Sequence, residues 1–188
     1  MSEQVVIVSA TRTAIGSFNG SLKDVPATKL GATVIQAALE QANVAPHLVE
    51  EVIMGNVLQA GLGQNPARQA SLFAGLPETV PAMTIDTQCC SGLDTIVHAA
   101  HMIQAGTAQC IVAGGAESFS RSPIRSHRPM TKGDLPVPYD RPAFSPFADR
   151  DPDLTEAAAI LAEVRGISRE AQAEFAVESH KKAMRWAE

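Results

Sequence analysis

An α/β fold, with helices on the faces of a parallel or mixed sheet, is predicted for this 188-residue chain by three observations. Short apolar runs rich in β-branched residues alternate with stretches whose apolar residues recur at three- and four-residue spacing. Glycines close those runs, at Gly55, Gly106 and the pair Gly114 and Gly115. The strand-then-helix rhythm repeats three times before residue 118. It therefore sets loops at the carboxyl ends of the strands, where sheets of this kind bind ligands.

Residues 5–9, Val-Val-Ile-Val-Ser, read as a first strand buried on both faces. A loop punctuated by Gly16 and Gly20 follows, then a helix over residues 27–43 with Leu30, Val34, Ala37, Ala38 and Leu39 inward. Pro46 closes that unit. Residues 49–54 form a second strand ending at Gly55, and the glycine-bearing loop after it enters a helix with Pro66 near its start. A phosphate cradle is a weak reading of that loop: a Walker lysine is lacking, the glycine spacing is wrong for a dinucleotide fingerprint, and a helix cap accounts for the residues. Residues 79–85 make a third strand and residues 109–113 a fourth. From Phe119 to Pro152 prolines and scattered charges give no sustained period, so a long irregular excursion is expected. A helix returns over residues 154–164, capped by Asp153 or Thr155, and another begins after Ser168 and runs to the end of the chain.

The stretch Thr84-Ile85-Asp86-Thr87-Gln88-Cys89-Cys90-Ser91-Gly92-Leu93 is where an extended run turns abruptly into a helix. Leu93, Ile96, Val97, Ala100 and Ile103 form the apolar stripe of that helix, to be packed on the sheet until Gly106 stops it. A thiol at a helix N-terminus sits among unpaired backbone N–H donors and the positive end of the helix dipole, which favour a thiolate. Cys89 is therefore a candidate nucleophile, and the small residues Cys90, Ser91 and Gly92 leave room for a substrate to approach the backbone. The plainer alternative makes Cys89 and Cys90 small buried hydrophobes, as free cysteines commonly are.

Composition narrows the function classes. A net charge of -5 and a pI near 5.5 give no basic field for nucleic acid or acidic lipid, so neither is an expected partner. The three cysteines, Cys89, Cys90 and Cys110, are odd in number and lack C-x-x-C spacing, which argues against a disulfide framework and a zinc site and fits a reducing, cytoplasmic compartment. Met1-Ser2-Glu3-Gln4 leads straight into the first apolar run, so no signal peptide is expected, and nothing reaches membrane-spanning length. His98 and His101 stand one turn apart without a third ligand and read as ordinary helix histidines; no metal is expected. His127, with Arg121, Arg125 and Arg128, is a local basic cluster that reads as a solvated loop before it reads as a phosphate contact.

Taken together, the chain resembles the thiolase family of acyl-CoA acetyltransferases. The resemblance is carried by Thr11-Arg12-Thr13-Ala14-Ile15-Gly16-Ser17-Phe18-Asn19-Gly20, by Gly55-Asn56-Val57-Leu58-Gln59-Ala60-Gly61 through Gly63-Gln64-Asn65-Pro66-Ala67-Arg68-Gln69-Ala70, by Gln88-Cys89-Cys90-Ser91-Gly92-Leu93, by Val112-Ala113-Gly114-Gly115-Ala116-Glu117-Ser118, and by Gly166-Ile167-Ser168-Arg169-Glu170 with Phe175, Ser179 and His180. It runs in order from Val5 to about Met184. It implies a thiolase-like N-terminal half: residues 1–118 as the α/β domain lacking its last strand, and residues 119–188 as part of the helical loop domain.

By the same resemblance Cys89 attacks a 3-ketoacyl-CoA and holds the acyl group as a thioester, with its own backbone N–H in an oxyanion hole. Coenzyme A and acyl-CoA are then substrates, with no permanently bound cofactor, in fatty acid metabolism. Members of the family pair as dimers or tetramers through the sheet edge that carries the nucleophile strand, and a second half supplies the acid–base groups, which makes a C-terminal thiolase half an implied partner. Three departures stand out. Cys90 replaces a usual glycine, serine or alanine, Asp86 stands where asparagine is common, and residues 150–156 lack a His-Met-Gly run. A non-catalytic acyl-CoA-binding or dimerisation module is the first alternative, and a ketoacyl-synthase-type condensing enzyme the second; the Gly-Gln-Asn-Pro-Ala-Arg-Gln-Ala run favours a thiolase.

Overall fold

The structure, a computed structural model, describes residues 4–187. Readings that fall on residues 1–3 or on Glu188 lie outside the described residues. The chain divides into two compact units, one ending at Ile124 and one beginning at Arg125.

The first unit is built on a parallel three-stranded sheet. Helix α1 (Ala27–Ala42) precedes β1 (Glu51–Gly55), α2 (Pro66–Phe73) joins β1 to β2 (Ala82–Ile85), and α3 (Ser91–Gln104) joins β2 to β3 (Ile111–Gly115). The strand order is β2-β1-β3, and no antiparallel strand joins this sheet among the described residues. The central strand is sealed: Val52 and Ile53 are fully buried, as a continuous apolar run in a parallel sheet requires. Ile35 and Leu39 of α1 and Ala67 and Ala70 of α2 complete the core with Leu76 and Val80. Close helix packing rests on small residues, since a Cβ on Gly31 would meet the Ala70 methyl at 3.1 Å. Lys29 also lies over the Phe73 ring at 3.4 Å, tying α1 to α2.

The α/β expectation therefore holds, with three corrections. Residues 5–9 form no strand; Val6, Ile7 and Val8 are 65, 76 and 68% exposed. Backbone pairing needs a neighbouring strand, and between this segment and β3 lies a cavity of about 850 Å³. The segment is held from α1 instead, where Ser9 Oγ donates to Gln41 Oε1 and Thr11 Oγ1 to the Val34 carbonyl. Second, Leu30, Val34 and Ala38 line that cavity, so the buried face of α1 is the neighbouring one through Gly31, Ala32 and Ile35. Third, α3 does not bury its expected stripe. Ser91, Thr95 and Ala99 meet the sheet, whereas Leu93, Ile96 and Val97 are exposed. The apolar surface of α3 is wider than one sheet face covers. Boundaries also move: β1 runs Glu51–Gly55 where residues 49–54 were expected, β2 begins only after Pro81, and β3 runs Ile111–Gly115 in place of residues 109–113.

The second unit opens on a short antiparallel hairpin within the segment expected to be irregular, β4 (Arg125–His127) against β5 (Val137–Tyr139). The His127 and Tyr139 rings stack at 4.5 Å. Helix α4 (Leu154–Val164) is capped by Asp153, whose carboxylate accepts the N–H groups of Thr155 and Glu156, so of the two expected caps Asp153 serves. Helix α5 (Arg169–Ala187) starts with Ser168 Oγ accepting the Ala171 N–H. No residue of α4 is buried, and Leu154, Val164 and Phe175 are more than half exposed.

Candidate active site

The edge strand β2 runs into α3 through a turn with little freedom. Asp86 Oδ1 accepts the Gln88 backbone N–H at 3.0 Å, an Asx turn that draws Gln88 to φ 57°. A left-handed backbone on a residue with a side chain costs about 1–2 kcal/mol. Strain of this kind persists where the surroundings over-determine it, and it clusters at functional turns. Ser91 supplies part of that constraint: its hydroxyl accepts the Thr87 N–H at 2.9 Å and donates to the Gln88 carbonyl at 2.6 Å.

Cys89 follows Gln88, and Cys90 is the N-cap of α3. Cys89, expected at the helix N-terminus, lies one residue before the cap. Both thiols are exposed, which overturns the alternative of small buried hydrophobes. The backbone N–H groups of Cys89 and Gly92 donate to no protein acceptor among the described residues. They are the free donors of this helix end, and a Cβ on Gly92 would meet nothing within 4 Å, so the space beside the turn is open. Cys110 is different. It is half-buried just before β3, and burial, then the neighbouring Glu50 carboxylate, pushes its thiol up.

Strand β1 supports the turn from below. A Cβ on Gly55 would lie 2.8 Å from Ser91 and 2.9 Å from the Gly92 nitrogen, so strand and helix backbones meet there without a side chain between them. Thr95, fully buried, sets its hydroxyl 2.7 Å from the Gly92 carbonyl and 3.1 Å from that of Gly114. The Asn56–Glu117 contact at the strand ends and the left-handed Gln88 are features sequence reasoning missed. Sixty-one residues separate Asn56 from Glu117, and no local pattern joins them. The turn did leave a signal, since Asp two residues before Gln88 is an Asx-turn arrangement.

Several of the remaining sequence features have local partners in the structure. Asp86 is engaged with the Gln88 N–H. The loop after β1 ends in a helix cap, with Asn65 Oδ1 accepting the Arg68 N–H and Pro66 in the first turn. His98 and His101 are exposed on α3, and no group of three or more metal-ligating side chains occurs among the described residues. Arg121 donates to the Asp24 carbonyl in the first unit, while Arg125 and His127 belong to the hairpin of the second. The departure at residues 150–156 also has local work: Asp151 pairs with Arg141 at 2.9 Å and Asp153 caps α4.

These features define a class, an α/β protein whose parallel strands converge on an exposed cysteine at a strained strand-to-helix turn. Residues 5–187 match the family described as thiolase, N-terminal domain. The chain belongs to the thiolase family, a family of acyltransferases, through that domain. It is 50% identical over 184 residues to an acetyl-CoA acetyltransferase of Cupriavidus necator, covering 95% of this chain and 47% of that protein. An acetyl-CoA acetyltransferase of Escherichia coli is 51% identical over 185 residues, covering 95% and 46%. The crystal structure of the Bacillus anthracis acetyl-CoA acetyltransferase superposes with a TM-score of 0.86 at 37% identity, over 96% of this chain and 46% of that one. The chain thus spans about half the length of the curated relatives it matches.

Proposed function

We propose that this chain is the N-terminal, nucleophile-bearing half of an acyl-CoA acetyltransferase, acting in fatty acid metabolism in the cytoplasm. The observation that carries the reading is the exposed Cys89 beside two free backbone N–H donors at the strained end of β2. Cys89 Sγ adds to the 3-keto carbonyl of a 3-ketoacyl-CoA, and the oxyanion that forms takes hydrogen bonds from backbone N–H groups such as that of Cys89. The C2–C3 bond then breaks, its electron pair leaves on the acetyl-CoA enolate, and that enolate is protonated. The acyl group stays on Cys89 as a thioester until the thiol of a second coenzyme A displaces it. Run backwards, the same steps condense two acyl-CoA molecules.

Coenzyme A and acyl-CoA are substrates in this scheme, and no bound cofactor or metal takes part. Proton transfer falls to a C-terminal thiolase half. Residues 1–118 act as the α/β domain and residues 119–188 as part of a loop domain. A homo-oligomer is part of the proposal, since β2 is an edge strand and Leu93 and Val97 of α3 are exposed beside it. No helix of the described residues is long and apolar enough to cross a membrane.

General acid–base help is worth about 10²–10⁴-fold in rate, so the purified chain given acetoacetyl-CoA and coenzyme A should show barely measurable turnover. Addition of a C-terminal half from a relative such as the Escherichia coli enzyme should raise it. Ordinary enzyme rates from this chain alone would contradict the division of labour.

A further inference from the structure

We infer that Glu117 and Asn56 are positioning residues for the Cys89 turn, acting through the ends of all three strands; the inference rests on the nucleophilic role proposed above for Cys89. Glu117 stands two residues beyond β3, and its carboxylate collects three donors from the segment after β1. Asn56 Nδ2 lies 3.1 Å and the Leu58 nitrogen 3.3 Å from Oε1, and the Val57 nitrogen lies 2.9 Å from Oε2. Asn56 itself is buried, 3% exposed, and its side-chain amide also donates to the Ala116 carbonyl at 2.6 Å. Its backbone N–H donates to the Ile85 carbonyl at 3.1 Å, and the Ala116 N–H donates to the Gly55 carbonyl at 3.1 Å. One carboxylate and one amide therefore tie the end of β1 to the end of β3 and, through Ile85, to the end of β2.

What this knot supports is the turn. Ile85 is the residue before Asp86, whose carboxylate holds Gln88 left-handed. Gly55 is the residue before Asn56, and its backbone abuts Ser91 and Gly92. Past the last ladder bond a strand end is free to swing unless something fixes it. A carboxylate that accepts three N–H groups fixes it with charge-assisted bonds, roughly twice as strong as neutral ones. Glu117 is exposed, so it adds nothing to the core. Its contacts instead constrain the strand ends on which the turn through Gln88, Cys89 and Gly92 rests, and without that constraint the turn is free to shift.

The test compares the 188-residue chain with Glu117→Ala and Glu117→Gln variants by timed iodoacetamide labelling and peptide mapping. Cys90 and Cys110 serve as references within the same molecule, and thermal melts are recorded in parallel. In the unsubstituted chain Cys89 should label first. Glu117→Ala should lower the Cys89 rate at pH 7 relative to Cys90 by about two- to fivefold, the factor that a helix-end interaction supplies. Glu117→Gln keeps one carbonyl acceptor and should fall between, with little change in melting for either variant. A Cys89 preference that survives Glu117→Ala overturns this inference alone. Faster labelling of all three thiols with a lower melting temperature also overturns it, because that is general loosening. An unsubstituted chain with no preference for Cys89 overturns the nucleophile assignment and this inference with it.

Discussion

The strand-to-helix junction that carries Cys89 was legible because an extended run followed by a helical stripe is a recognisable pattern; the conformation of its turn was not. Gln88 is left-handed because Asp86 and Ser91 hold the turn from both sides. A β-branched side chain cannot follow it there, so Gln88→Val should cost about 1–2 kcal/mol in urea unfolding, whereas Gln88→Gly should leave stability nearly unchanged. Equal stability of the Val variant would mean that the backbone is not left-handed in solution. Cys110 provides a contrast. Its thiol is pushed up by burial and by Glu50, so it should be the slowest of the three to react with iodoacetamide at pH 7, and dominant labelling of Cys110 would contradict the geometry.

At the scale of elements, β1, α1, α2 and the long helices of the second unit could be read from periodicity and caps. The failures share one cause. Residues 5–9 and the outer stripe of α3 have the apolar pattern of buried elements, yet periodicity reports what a segment can bury and not whether a neighbour is present to cover it. Leu30, Val34 and Ala38 are misplaced for the same reason, since they face the cavity beside that first segment. Two contacts between elements can be tested. Gly55→Ala would force a Cβ into the backbone of Ser91 and Gly92, and overpacking of this kind costs about 1–3 kcal/mol; a neutral effect on urea unfolding would show that β1 and α3 are not in direct contact. Asn65 caps α2, accepts the Thr84 hydroxyl at 2.6 Å and donates to the Ala82 carbonyl at 2.8 Å, joining α2 to β2. Asn65→Ala should lose about 0.5–2 kcal/mol, read from the same unfolding curves.

Across the whole molecule, the α/β class was legible from the rhythm of strands and helices, while the hairpin of the second unit was hidden by its prolines. That unit carries its own pH dependence. Hydrogen bonds from Arg141, then from the Phe144 N–H, hold the Asp151 carboxyl below the usual carboxylate range. Its folded pKa thus lies below the unfolded value, so its contribution to stability is fully present above about pH 4 and is lost as the pH falls through the folded value. Limited proteolysis between residues 142 and 150 should therefore speed up in acid for the unsubstituted chain and already at neutral pH for Asp151→Asn. Identical cutting of the two at neutral pH would remove Asp151 from that role.

The exposed apolar residues of β2, α3 and the amino-terminal segment further predict self-association, checked by sedimentation at micromolar concentration, where a stable monomer would contradict it. Whether Cys89 accepts the acyl group is read from intact mass followed by peptide mapping after incubation with acetoacetyl-CoA. A single adduct with the mass of one acetyl group is expected, carried by Cys89 and absent from Cys89→Ser. An adduct on Cys90 or Cys110, or one that persists in Cys89→Ser, would contradict it.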